Sequence, residues 1–268
     1  MSPARAWLAV LTAAALLAGA CAARVPPRPS GASVPDPAAG EAFLQATQAC
    51  RGLRTVTAEL GLSGRVGETR VRGRLIAGLE APQAVRLEAV APFGPPVFIL
   101  AARGPTGTLL LPRDHRVLDP ADVAAVLERL TGLALGAADL RLLLTGCLAD
   151  TPAPTGGRRW DGGWRAVEVG DERTAYLRAR DGAWELAAAD VGPWTIDYAQ
   201  VLNGFPRDVR VRAPGVDVSA AVSQLQVNVP IPAEAFEVAV PEGTRPMTLD
   251  ELKSVAPLAA RDGGEPQR

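Results

Sequence analysis

From Thr55 onward the sequence alternates. In "TVTAELGLSG" the residues Val56, Ala58, Leu60 and Leu62 fall on one side of an extended chain, with Thr55, Thr57 and Glu59 on the other. "ETRVRGRLIA" repeats the device, with Arg70, Arg72 and Arg74 outward and Val71, Gly73 and Leu75 inward. A side-chain period of two describes a half-buried strand, and Gly64 to Gly67 between the two segments reads as a hairpin turn. The series continues through "QAVRLEAVA", "PVFILAA" and "GTLLL", and resumes after Trp164 in "WRAVEVG", "TAYLRAR", "AWELAAA", "WTIDYAQ", "RDVRVRA" and "VSQLQVNV". Asp181 with Gly182, Asn203 with Gly204, and Pro214 with Gly215 supply the turns. So many short strands at close spacing restrict the chain to a barrel or a strongly curved antiparallel sheet.

The period changes twice. "LDPADVAAVLERLTG" has the marks of a helix: Asp119 as cap, Pro120 in the first position, Asp122 in the first turn and Gly132 as terminator. Its apolar face is Val123, Val126, Leu127 and Leu130, and a second helix carrying Leu140 to Leu144 follows. Near the end, Thr248 and Glu251 in "MTLDELKSVAPL" form a capping box ahead of a short helix.

The N-terminus belongs to a different regime. Arg5 precedes an uncharged run, "WLAVLTAAALL", the basic and apolar regions of an export signal that is too short to span a bilayer. Ala18, Gly19 and Ala20 lead directly into Cys21. That junction resembles a bacterial lipoprotein signal, in which the cysteine is lipidated and the chain is cut just before it. It departs from the usual pattern by placing Leu17 four positions ahead of the cysteine. Ordinary cleavage near Ala20 is the alternative. Lipidation would make Cys21 an anchor, and residues 21–38, rich in proline, a flexible tether. The expected organisation is therefore a signal over 1–20, the lipidated terminus and tether over 21–38, one β domain over 39–258 and a polar, disordered tail over 259–268.

Export also bears on Cys50 and Cys147. An oxidising compartment favours a bridge between two remaining thiols. Cys50 closes an apolar stripe with Phe43, Ala46 and Thr47, and Cys147 closes another with Leu140, Leu143 and Leu144. Two separately buried cysteines are the alternative.

Signatures of chemistry are missing. The single histidine, His115, stands in a turn beside Asp114 and has no second histidine with which to complete a metal site. No nucleophile elbow, C-x-x-C pair or phosphate-cradling loop occurs. The sequence names no catalytic residue, metal ligand or cofactor. A formal net charge of -1 and few aromatics argue against a nucleic-acid surface.

A lipoprotein signal, a first helix, serial strands, a helical insertion, more strands and the ending "VPEGTRPMTLDELK" together resemble the LolA/LolB family of lipoprotein-localisation proteins, its anchored LolB-like members above all. Short stretches such as "LSGRVG" and "RLEAVAPFGPPVFIL" carry the likeness. The resemblance implies an unclosed antiparallel β-barrel, here of about 11–12 strands, with a few helices as lid or plug over an apolar cavity for acyl chains. It further implies an outer-membrane lipoprotein whose domain faces the periplasm and receives lipoproteins or lipids from a LolA-like carrier. The expected cavity and lid residues are Val56, Leu60, Leu75, Val85, Leu87, Val123, Val126, Leu127 and Leu130, although the four helical residues could equally complete the core. Phe93, with Gly94, Pro95 and Pro96, occupies the position of the family's membrane-entering loop; insertion and core packing of Phe93 both remain open. The alternative function is a non-catalytic envelope lipoprotein on the same scaffold, a structural or interaction subunit with a self-filled interior.

Overall fold

The computed structural model describes residues 27–147, 153–170 and 172–255, so the signal, Cys21 and the tail from 259 lie outside the described residues. In chain order the elements are β1 (Val34–Pro35), α1 (Ala39–Ala46), a 3-10 turn at Gln48–Cys50, β2 (Thr55–Val66), β3 (Thr69–Glu80), β4 (Ala84–Val90), β5 (Phe98–Ala102), β6 (Thr106–Leu111) and β7 (Arg116–Asp122). Then come α2 (Val123–Thr131), α3 (Ala137–Thr145), β8 (Pro154–Trp160), β9 (Trp164–Val169), β10 (Arg173–Arg180), β11 (Ala183–Val191), β12 (Trp194–Ala199), β13 (Asp208–Ala213), β14 (Val216–Val227), β15 (Arg245–Pro246) and α4 (Leu249–Val255).

The fifteen strands among the described residues form one sheet, ordered β1-β8-β9-β10-β11-β12-β13-β14-β2-β3-β4-β5-β6-β7-β15. Its edges, β1 and β15, do not pair with each other, so the barrel is unclosed, as the resemblance implies. Every pairing is antiparallel except the two-residue contact of β15 with β7. The long strands β2 and β3 pair along their whole length, from Thr55 opposite Glu80 to Val66 opposite Thr69. This register puts Val56, Ala58 and Leu60 on the buried face together with Leu79, Ala77 and Leu75. A one-residue slip would turn each of these sets outward, so the apolar alternation fixes the pairing.

The buried face of the sheet and the helices share one core, from Phe43 of α1 through Leu127 and Leu130 of α2 to Leu143 and Leu144 of α3. α2 begins later than its sequence suggests. Its cap is Asp122, whose carboxylate accepts from the Ala125 amide at 2.7 Å, while Asp119 and Pro120 belong to β7. The β6–β7 hairpin extends to Thr106 opposite Asp122, and its cross-strand pairs take residues that the cap-and-proline pattern offered to the helix. At its other end the sequence signal holds: Gly132, with φ +76°, terminates α2. A Cβ there would stand 2.9 Å from Val66 Cγ1 and Val216 Cγ2, so glycine lets the helix end seat against the tips of β2 and β14.

The bridge between Cys50 and Cys147 is present, with Cα atoms 5.4 Å apart. Cys50 sits on the 3-10 turn after α1 and Cys147 just after α3, so the bond ties the two helices together at their C-terminal ends. The Thr248–Glu251 capping box also forms, with the Thr248 amide donating to Glu251 Oε2 at 2.7 Å.

The second half of the proline-rich segment lies against the sheet. Arg28 donates to Asp197 Oδ1 at 3.0 Å, to Asp190 Oδ1, and to the Ile196 carbonyl at 3.0 Å, and it stacks over Tyr176 at 5.0 Å. Asp197 is almost wholly buried and is also paired with Arg212. β1 then pairs with β8, and Asp36 ion-pairs with Arg165 at 2.7 Å.

Candidate functional site

The side chains of β2, β3, β4, β13 and β14 that point to the concave face meet α2 and α3 around a cavity whose wall is almost entirely hydrocarbon. Leucine and valine dominate because these strands alternate, and no large aromatic side chain fills the gap. The cavity is about 100 Å³ in volume. A dry cavity of about 150 Å³ holds a benzene molecule, so the space as it stands admits a fragment of an alkyl chain and no more.

Of the residues expected around a cavity, Leu60, Leu75, Leu87, Leu127 and Leu130 line it. Val56, Val85, Val123 and Val126 are buried in the same core but away from the cavity wall. Sequence reasoning missed the far wall, including Val209, Val211 and Val218 of the other half of the sheet and Leu133 and Leu135 of the α2–α3 connection. The alternation of β13 separates Val209 and Val211 from the arginines between and after them. What it could not give was which strands curve round to face the lid.

The cavity reaches the end of the sheet marked by Val66 and Val71, where β2 turns into β3. That end also carries the 91–97 connection between β4 and β5, and Phe93 there is 88 % exposed. Phe93 therefore packs into no core. The loop is braced from the neighbouring β6–β7 turn: Arg113 donates to the Phe93 carbonyl at 2.6 Å and to the Pro95 carbonyl at 3.0 Å. Pro95 is exposed and Pro96 half-buried, while Gly94 has φ +77°. An apolar tip is thus held out on a stiffened turn instead of folding back.

Two helices close the concave face, and they are held differently. α3 is bonded through its Leu142 carbonyl, which accepts from the Tyr198 hydroxyl of β12 at 2.9 Å. Burial pushes the Tyr198 hydroxyl far above the usual phenol range, so it remains a protonated donor. α2 is covered by the C-terminal strap: Arg129 pairs with Asp250 at 3.0 Å, Arg116 with Glu251 at 2.8 Å, and Leu252 of α4 is buried. The Thr248 amide and Arg116 together hold the Glu251 carboxyl below its usual range.

Three larger depressions are mixed in polarity and open to solvent, one of them, of about 280 Å³, beside Arg178, Glu185 and Gln200. Another, of about 440 Å³, lies beside Cys50, Trp184 and Asn203, and the third, of about 510 Å³, between Leu133, Asp139, Arg173 and Trp194. Among the described residues no group of three His, Cys, Asp or Glu side chains could hold a metal ion, and no helix is long and apolar enough to cross a membrane.

No protein-family model matches the chain, and no characterised protein matches it in sequence. Among solved structures it is similar to a DUF1329 family protein from Desulfovibrio piger, with 15% identity, 75% of this chain and 96% of that one covered, and a TM-score of 0.49. It is also similar to a putative outer membrane lipoprotein-sorting protein domain from Vibrio parahaemolyticus, at 10% identity over 74% of this chain and 95% of that one, with a TM-score of 0.37. A third is the lipoprotein LppX of Mycobacterium tuberculosis, at 16% identity over 74% and 98% of the two chains, with a TM-score of 0.33.

Proposed function

We propose that the chain is a non-catalytic carrier of acyl chains in the cell envelope, anchored through a lipidated Cys21 in the outer membrane, with its domain in the periplasm. In this reading it receives lipoproteins or lipids from a LolA-like soluble carrier and passes them to the bilayer. The observation that carries it is the conjunction of an apolar, leucine-lined interior with an exposed phenylalanine at the end of the sheet to which that interior leads. Apolar walls without polar groups suit a hydrocarbon guest, and a protruding aromatic tip suits the interfacial region of a membrane.

The small volume of the cavity favours a second reading, in which the interior is filled by its own side chains and the protein is a structural or interaction subunit. Native mass spectrometry of the exported chain, followed by organic extraction and lipid analysis, separates the two. A carrier yields a co-purified acylated guest that Leu127→Glu abolishes. A clean apo mass, unchanged after incubation with lipids or acylated peptides, refutes the carrier reading and supports the subunit. Should a guest be found, Phe93→Ser is expected to leave its binding intact and to slow its transfer to vesicles.

A further inference from the structure

The β2–β3 hairpin carries a charge arrangement that the fold alone does not require. Arg65, Arg70 and Arg72 are all exposed, on the outer face of the sheet. Arg65 and Arg70 stand directly opposite each other across the two strands, and Arg72 faces Ser63. Like charges directly opposed are destabilising, and the usual remedy is a neighbouring carboxylate. Here the remedy is used only one step away. Arg74, next along the face, is paired with Glu59 at 3.0 Å. Asp217 of β14, which lies opposite Arg65, is taken by Arg210 in a two-pronged contact at 2.8 and 2.6 Å. Among the described residues Arg65, Arg70 and Arg72 make no ion pair or side-chain hydrogen bond, and the acid at the tip, Glu68, offsets one of the three charges.

The hairpin also projects. Pairing of β3 with β4 ends at Arg74 opposite Val90, whereas β2 and β3 continue together to Val66 and Thr69. At about 3.3 Å per residue, Arg70 lies about 13 Å beyond the last β3–β4 pair. The three residues from Val90 to Phe93 can reach about 10 Å in the same direction. The unpaired arginines and the exposed Phe93 therefore project at the same end of the sheet, the end to which the apolar cavity leads.

We propose that this end is a docking surface for anionic phospholipid, in which Arg65, Arg70 and Arg72 contact lipid phosphates while Phe93 enters the interface. The combination decides between occupants. An acidic protein would satisfy the arginines, but a lone phenylalanine on a turn braced by Arg113 fits a bilayer, where an aromatic ring sits at headgroup depth and cations gain from the negative surface potential. The inference goes beyond acyl-chain carriage and does not depend on it: a protein with a self-filled interior would dock in the same way.

The test is vesicle co-sedimentation of the full chain carrying Cys21→Ser, so that no acyl group holds it to the membrane. Vesicles contain either phosphatidylcholine alone or phosphatidylcholine with 30 mol% phosphatidylglycerol, a probe fraction of about one lipid in three. Each arginine near such a surface is worth roughly fivefold in partitioning. Replacing all three with serine is expected to lower binding to the anionic vesicles between tenfold and a hundredfold, and half-molar salt should abolish the difference. Replacing all three with lysine should keep most of the binding, and circular-dichroism melting of each variant controls for folding. The serine variant should keep whatever acyl guest the parent carries, read by native mass spectrometry, so the two readings fail separately. Equal binding to neutral and anionic vesicles, or an unaltered serine variant, overturns the proposal. So does a parent chain that binds no vesicle, in which case an acidic protein becomes the occupant to seek.

Discussion

Truncating Leu127 to alanine distinguishes a cavity that the fold holds open from one that would close if it could. Leu127 is 2 % exposed and lies in the cavity wall. Removing three carbons at about 0.8 kcal/mol each forfeits about 2.4 kcal/mol of burial. Whatever space stays open adds about 24 cal/mol per Å³, or about 1 kcal/mol for every 40 Å³. α2 has little freedom to settle inward. Gly132 at its end is wedged against Val66 and Val216, and Asp122 caps its start. The expected cost is therefore about 3–4 kcal/mol, within the range of leucine-to-alanine changes that leave their cavities unfilled. The same reasoning predicts repair. An alkyl ligand that fits the enlarged space should restore about 2.7 kcal/mol at a hundred times its dissociation constant, and should do less for the parent chain. Urea titration with and without a short-chain alcohol or alkane reads both quantities. A cost below about 1.5 kcal/mol would mean that the lid collapses onto the sheet. The full cost without ligand rescue would mean that the interior is a packing defect and not a binding site.

Three further outcomes follow from the same contacts. Replacing Cys50 and Cys147 with serine removes a crosslink spanning 97 residues, and unfolding by urea should become easier by up to about 4–5 kcal/mol, with reductant producing the same shift in the parent. Arg28→Ala leaves the buried Asp197 with Arg212 alone; because Arg28 is a quarter exposed and one partner survives, a loss of about 1–2 kcal/mol is expected, with faster proteolysis around residues 29–35. Asp217 and Glu251 both have folded pKa values below their ordinary ones, the first through its hydrogen bond to Arg210 and the second through the Thr248 amide and Arg116. Lowered carboxyl values stabilise the fold above about pH 4.5, and this support is lost as pH falls through the folded values. Asp217→Asn with Glu251→Gln should flatten the acid limb of a thermal-stability profile, and an unchanged limb would show that other carboxylates control it.

The sequence was most informative where local and tertiary preferences agree. The strands from Thr55 to Ala102 and from Trp164 to Val227 could be read because their apolar alternation is the pattern their burial demands. The turns at Asp181–Gly182 and Pro214–Gly215, the stop at Gly132 and the Thr248–Glu251 box are local devices and form as written. Asp119 and Pro120 illustrate the opposite case. A cap followed by proline is a sound helix start in isolation, but here the two fall in an irregularity of the β6–β7 hairpin, which resumes pairing at Ala121 and Asp122, and the cap moves to Asp122. β8 was illegible for another reason. "PTGGRRW" has two glycines and no alternation, yet Gly157 must lack a side chain because a Cβ there would lie 2.3 Å from Ala39 Cβ and 2.8 Å from the Asp36 carbonyl. Gly157 marks the close approach of α1 to the sheet, which no local rule contains. The cavity was half legible: one wall follows from β2, β3 and β4, while the opposite wall depends on how far the sheet curls.

That curl also determines where the interior can open. A guest longer than the present space must displace one of the two helices over the concave face. α3 runs straight into Gly146 and the crosslinked Cys147, and Tyr198 holds its Leu142 carbonyl from beneath. Moving it would break a buried hydrogen bond and strain a covalent tie to α1. α2 has no covalent tie of its own. Its outer face is fastened to α4 by an exposed ion pair, which contributes at most about 1 kcal/mol, and its C-terminal end stands at the tips of β2 and β14 beside the cavity. In the proposed carrier reading, a long guest is therefore expected to enter by displacing α2 against a fixed α3, at the Val66–Val71 end. A disulfide placed between Asp250 and Arg129 positions, as Arg129→Cys with Asp250→Cys, should then block uptake of a long-chain fatty-acyl probe when oxidised and permit it when selectively reduced. Uptake that is indifferent to that bond would assign the opening elsewhere, to the α2–α3 connection at Leu133 and Leu135.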